Sequence, residues 1–295
     1  MLSKQKMKNL IRQKAKETGL PSQQLYGLYA MDQFVAQLSE TEYSKHLTVK
    51  GGFLLTTSYG LENRATGDLD FTVKGLDLNE ENIKEMVNSL QTPDGEYIFD
   101  FKGLRETREA FDYNGYELKL MFNNGNVKIP LNVDLTTGED LIEMDTGEKV
   151  RSVFTDEEYS ITGYPVEQIL TDKFYTLMAY GEIDDSNSRM KDYYDLYLLT
   201  KAKLDIDLDK VNVGLDKTMN QRDNDIEAED YDRILEYLKQ SNKQKEMWSN
   251  FEVSKPYAEG ISFDEVMDQI QEFLDDLVEV RKQNYIDIDF EIDEI

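Results

Sequence analysis

The 295-residue sequence has no cysteine, one histidine and five prolines. Without cysteine there are no disulfides and no thiolate metal sites, a composition compatible with a cytoplasmic protein. The lone histidine, His46, leaves almost no room for zinc centres or histidine-based acid–base chemistry, and it reads as a surface residue ahead of the first strand. No apolar run reaches the roughly 18 residues that a membrane-spanning helix needs. The start, M-L-S-K-Q-K-M-K-N-L, is basic but has no apolar stretch of the secretory type. Positive charge is also scarce: 33 Lys and Arg face 60 Asp and Glu, for a net charge of −27. Such a balance argues against a general nucleic-acid coat protein.

With 39% hydrophobic and 11% aromatic residues, the chain can build a sizeable core. Its charge is unevenly spread, with 18 basic and 27 acidic residues in 1–160 against 15 and 33 in 161–295. An RNA would therefore approach the first half, and a basic protein partner the second. Residues 3–17 read as a basic amphipathic helix, and Ser22 as the N-cap of a second helix with Leu25, Leu28, Tyr29, Phe34, Val35 and Leu38 on its buried stripe. Further on, a helix over 79–90 ends at a turn over Thr92–Gly95. Strand-like runs follow at Tyr97–Leu104, Glu117–Phe122 and Val127–Leu135, the last two joined by a hairpin signal at Asn123–Asn126. From Pro165 the pattern turns helical: Val166–Tyr180, 188–200, Ala228–Gln240, Lys243–Phe251 and Ser262–Val280. The tail from Ile286 alternates apolar and acidic residues, as an edge strand or a disordered acidic tail does.

Residues 47–74 carry the chemistry. Leu47–Lys50 reads as a short strand, broken by Gly51-Gly52 and followed by a helix over Phe53–Tyr59. A strand that ends in glycines at a helix start exposes backbone N–H groups where the helix dipole favours phosphate. After a turn holding Arg64 and Thr66, a second strand is expected over Asp68–Val73. The strand period of two turns Asp68 and Asp70 to one face and Leu69 and Phe71 to the core. Two neighbouring carboxylates repel unless a cation lies between them, and a hard ion such as Mg²⁺ takes oxygen ligands of this kind. Asp134 ends the apolar run Lys128–Leu135 and is placed to be a third acid. In the helical half, Lys173 is followed by Arg189, Lys191, Asp192 and Asp195, the two acids three apart on one helical face.

The K-G-G strand end, the helix, R-x-T-x-D-x-D over 64–70, the later strand ending in Asp134, and E-Q-I-x-x-x-K with R-x-K-D-x-x-D-L resemble the AbiEii toxin family of DNA polymerase β-like nucleotidyltransferases. That resemblance implies an α+β fold: a nucleotidyltransferase-like mixed sheet flanked by helices (about 1–160), then a helical C-terminal domain (161–295) contributing Lys173 and Asp195. It implies a Mg²⁺-dependent enzyme, with Mn²⁺ as a possible substitute, that moves a nucleotide from an NTP to an acceptor, the tRNA 3′ end, and so blocks translation and growth during phage infection. Asp68 and Asp70 would hold two ions and Asp134 would complete the catalytic one. Gly51, Gly52, Arg64, Thr66, Lys173, Arg189, Lys191 and Asp192 would bind the nucleotide, with Asp195 orienting Lys173. A cognate antitoxin that also represses transcription would accompany it, without requiring a stable complex. Gly52 stands where some relatives carry serine, and the interval to Asp68 is long for the wider superfamily.

Other readings of the same residues are nucleotide or phosphate transfer to a protein, and a non-enzymatic acidic interaction protein. Lys102, Arg105, Arg108, Lys119, Lys128, Lys149 and Arg151 lie in the strand-rich zone and would be the path of an RNA backbone.

Overall fold

The computed structural model describes residues 2–90, 98–107, 115–139, 141–142, 147–155, 157–181, 189–202, 204–222 and 224–293, with 284–293 as backbone alone. The chain divides into two compact units, Met1–Glu139 with Thr146–Tyr164, and Asp140–Asp145 with Pro165–Ile295.

The first unit is built on a seven-stranded mixed sheet of order β3-β4-β5-β2-β1-β7-β6. The strands are β1 Leu47–Lys50, β2 Asp70–Val73, β3 Phe99–Glu106, β4 Gly115–Asn124, β5 Val127–Thr136, β6 Lys149–Arg151 and β7 Glu158–Gly163. β1 and β2 are antiparallel, while β2–β5 and β1–β7 are parallel. One sheet face is apolar: Val49, Phe71, Leu120, Phe122, Leu131, Val133 and Leu135 are all buried. Helix α2 (Ser22–Ser39) covers it with Leu25, Leu28, Tyr29, Phe34, Val35 and Leu38. Phe34 meets Phe99 edge-on at a ring separation of 5.4 Å and Phe71 at 6.1 Å. Truncating a ring at such a position costs about 3–5 kcal/mol. Helix α1 (Lys4–Thr18) buries Met7 and Ile11, and Lys4 reaches Asn126 at the tip of the β4–β5 hairpin. Helix α3 (Gly51–Tyr59) follows β1 directly, and α4 (Glu80–Ser89), capped by the Asn79 side chain, precedes β3.

The second unit is helical: α5 Val166–Gly181, α6 Met190–Lys201, α7 Leu208–Gln221, α8 Tyr231–Gln240, α9 Asn242–Ser254 and α10 Phe263–Asp293. Phe174 on α5 stacks edge-on against Tyr231 and Phe273. Trp248 is fully buried, and its indole N–H donates to the Ile261 carbonyl at 2.8 Å.

Four expectations need correction. Ser22 is the first helical residue of α2, and Pro21 is its cap, its carbonyl accepting the Leu25 N–H. The second strand starts at Asp70, so Asp68 precedes it; Thr66 Oγ1 accepts the Asp68 N–H at 3.2 Å, a local turn that competes with strand pairing. The acidic tail continues α10 to Asp293, since adding a residue to a formed helix costs far less than starting one. Strands β6 and β7 and helix α7 were not foreseen. The expected turn at 92–95 and Arg108 lie outside the described residues.

Candidate active site

The polar face of the sheet is set by register. Lys50 lies opposite Asp70, Asp70 beside Asp134, and Thr72 beside Thr136, so all five project to the side away from α2. Asp70 and Asp134 are adjacent in-register acids on neighbouring parallel strands, and the Asp134 N–H donates to the Leu69 carbonyl at 2.9 Å. The same row continues through Glu117 on β4 to Arg105 on β3.

The Gly51-Gly52 pair is required by what surrounds it. Gly51 has φ +68°, and a methyl there would fall 2.5 Å from Asp70 Oδ2. A methyl on Gly52 would fall 2.7 Å from Thr66 Oγ1 and 3.1 Å from Arg64 Nη2. Arg64 is buried beneath this first turn of α3, and its Nη1 donates to the Ala65 carbonyl at 2.6 Å. The turn that leads to the acids is therefore packed directly on the backbone that opens the helix. Asp68 is exposed and Asp70 half-buried.

Beside the acids sits a buried ion pair. Lys50 Nζ donates to Glu139 Oε1 and Oε2, both at 2.9 Å, and to Thr136 Oγ1 at 2.6 Å. Thr72 Oγ1 donates to Glu139 Oε2 at 2.5 Å, and the Tyr164 hydroxyl to the same oxygen at 3.3 Å. Burial pushes the Glu139 carboxyl up, but the Lys50 charge and hydrogen bonds from Thr72, Lys50 and Thr136 outweigh it and hold it at about 2. Of this group only Lys50 belongs to the quoted motif. Thr72 and Thr136 stand two residues beyond Asp70 and Asp134, so strand alternation was a signal for them. Glu139 had none beyond following the Gly138 turn.

The second unit holds its own cluster. Lys173 on α5 lies 2.5 Å from Asp192 Oδ1 and 3.0 Å from Asp195 Oδ2, both on α6. Arg189 Nε is 3.4 Å from Asp192 Oδ2. Asp195 is fully buried, so this is an assembled charge cluster and not a solvated helix face. Lys191, next to Asp192, is half-buried.

A family model described as "Nucleotidyl transferase AbiEii toxin, Type IV TA system" matches residues 33–290. The chain belongs to that family. AbiEii membership makes it a nucleotidyltransferase of the toxin–antitoxin kind, and the matched span includes both clusters while leaving out α1. The fold is similar to the crystal structure of JHP933 from Helicobacter pylori, at 14% identity and a TM-score of 0.53, covering 92% of this chain and 99% of that one. A putative nucleotidyltransferase from H. pylori aligns at 14% identity and a TM-score of 0.47, over 90% and 98% of the two chains. No curated protein matches the chain. No helix among the described residues is long and apolar enough to cross a membrane.

The donor set at the acids bears on a divalent ion. Asp70 and Asp134 offer adjacent carboxylate oxygens, the ligand type a hard cation takes. Among the described residues, no group of three or more acidic or histidine side chains converges to form a cage. The pair fits an ion whose remaining positions come from water and substrate phosphates, which is how Mg²⁺ is commonly held.

Proposed function

We propose that this AbiEii-family chain transfers a nucleotide from an NTP to the 3′ end of tRNA, with Mg²⁺ (or Mn²⁺) as the working ion, and thereby acts as the toxin of a type IV system alongside a separately encoded antitoxin. What carries the reading is the in-register pairing of Asp70 with Asp134 beside a glycine-opened helix start, in a chain of nucleotidyltransferase lineage. Asp70 and Asp134 would hold the ion, with Asp68 on the preceding turn as an outer acid beside them, and the ion when bound would neutralise charge on the reacting phosphates.

The protein's own groups bind and orient. Backbone N–H groups at Gly51-Gly52 receive triphosphate oxygens at the positive end of α3. Arg64 and Thr66 fix that turn from below, Arg64 adding a buried positive charge. Lys173, ion-paired with Asp192 and Asp195, is assigned to the triphosphate on the family pattern, with Arg189 and Lys191 as auxiliary charge. The acceptor hydroxyl attacks the α-phosphorus in line, the bond to the β-phosphate oxygen breaks, and pyrophosphate leaves.

Incubation with α-labelled and γ-labelled NTP, followed by sequencing of RNA 3′ ends from cells that express the chain, tests this. Label from the α-position on tRNA ends is the expected result. Label on protein, or transfer of the γ-phosphate, would replace the reading with the alternatives named above. Toxicity that survives Asp70→Ala would remove enzymology from it.

A further inference from the structure

We propose that Arg105, held by Glu117, forms an acceptor-strand subsite on the far side of Asp134 from the glycine-opened helix, and that it takes a phosphodiester of the RNA whose terminal hydroxyl is extended. This rests on the nucleotidyl-transfer reading above. The sheet order places β1, β2, β5, β4 and β3 side by side, and the registers align Lys50, Asp70, Asp134, Glu117 and Arg105 in one row across them. With strands about 4.8 Å apart, Arg105 stands some 14 Å along the row from Asp70. An in-line displacement needs the leaving group and the attacking hydroxyl on opposite sides of the phosphorus. With pyrophosphate departing over Gly51-Gly52, the incoming strand lies over β5, β4 and β3.

That side carries a cavity of about 270 Å³ walled in part by Asp134, Glu117, Arg105, Thr107 and Tyr116. The Arg105 side chain is 68% exposed, with Nη2 3.1 Å from Glu117 Oε2. The Glu117 side chain is only 16% exposed; Asn132 Nδ2 donates to its Oε1 at 3.2 Å, while Oε2 lies within ion-pair distance of both Arg105 and Lys119 (3.3 Å) without a hydrogen bond of its own. A planar guanidinium fixed at one edge suits two-pronged recognition of a phosphate.

The test uses the full chain with α-labelled NTP and tRNA, together with direct binding of a fluorescent single-stranded RNA of about ten nucleotides. Arg105→Ala is expected to raise the acceptor KM about tenfold and leave the donor KM unchanged. It is also expected to weaken RNA binding to a similar extent and to lower the salt-dependence slope by about 0.7, the share of one phosphate. Arg105→Lys should recover part of the acceptor KM. Glu117→Gln should shift the same constant by less, as befits a positioning residue. A folded Arg105→Ala protein with wild-type acceptor KM and RNA affinity overturns the subsite while nucleotidyl transfer stands, and so does a rise in donor KM alone. Wild-type protein that labels no RNA overturns both.

Discussion

Two buried lysines, one in each unit, are held by different sets of partners. Lys50 and Lys173 are nearly equally shielded, with side chains 11% and 15% exposed. Lys50 gives hydrogen bonds to three oxygens, two of them on Glu139, and the surrounding hydroxyls of Thr72, Thr136 and Tyr164 complete a closed network. Its charge is matched one to one and turned inward. Lys173 lies between two carboxylates, one of which is shared with Arg189. That arrangement fixes a cation in place through a rigid helix pair, which suits a group that must meet a polyanion without reorganising. Burial alone therefore does not distinguish the two lysines; the carboxylates around them do.

Combined replacement separates the two most sharply. Lys173→Met combined with Asp192→Asn and Asp195→Leu should lower nucleotidyl transfer by about a thousandfold at near wild-type thermal stability, measured by labelled transfer beside a melting curve. Lys50→Met alone should cost about 3–5 kcal/mol in a denaturant titration, because Glu139 stays buried without its cation. Adding Glu139→Leu should restore most of that, with transfer within about tenfold of wild type. If the Lys50 double variant is as inactive as the Lys173 triple variant, the contrast fails.

Acid sharpens the same contrast. The folded Glu139 carboxyl lies at about 2, below its ordinary value of 4.5, so its contribution is present above pH 4.5 and is lost as pH falls towards 2. The difference amounts to roughly 3 kcal/mol, and Glu139→Gln should abolish that part of the acid transition. Asp32 runs the other way. Burial pushes it up to about 6, although the Val153 N–H, Tyr159 and Ser152 donate to it. The folded state then holds the proton more tightly, and stability falls as pH rises from 3.8 to about 6, by roughly 2–3 kcal/mol. Asp32→Asn should flatten that decline in melting temperature between pH 4 and 6.

Much of the site was legible because it is local. Gly51-Gly52, Arg64, Thr66, Asp68 and Asp70 fall within twenty residues; strand alternation led to Asp70, while Asp68, read onto the same strand, lies in the turn before it. Asp134 was reached through the family pattern, and the register of β2 with β5 brings it beside Asp70. The Lys50–Glu139 pair was hidden because its partners are 89 residues apart. Glu117 was hidden because a charged residue at a strand position reads as surface until the neighbouring strands are known. The glycine pair was read for phosphate; its second reason, the close approach of Asp70, Thr66 and Arg64, exists only in three dimensions. Strands β6 and β7 escaped because short polar-alternating runs look like loop. The tail misled because alternation outweighed the helix already running into it.

The parallel pairing of β1 with β7 has a consequence for when the sheet can be completed. β1 ends at Lys50, one residue before the glycine turn, yet its second neighbour ends at Gly163. Sheets closed by such distant partners assemble late, and chains emerge from the ribosome N-terminus first. A nascent copy thus carries Asp70 and Asp134 before the strand that completes the pairing of β1 has been made.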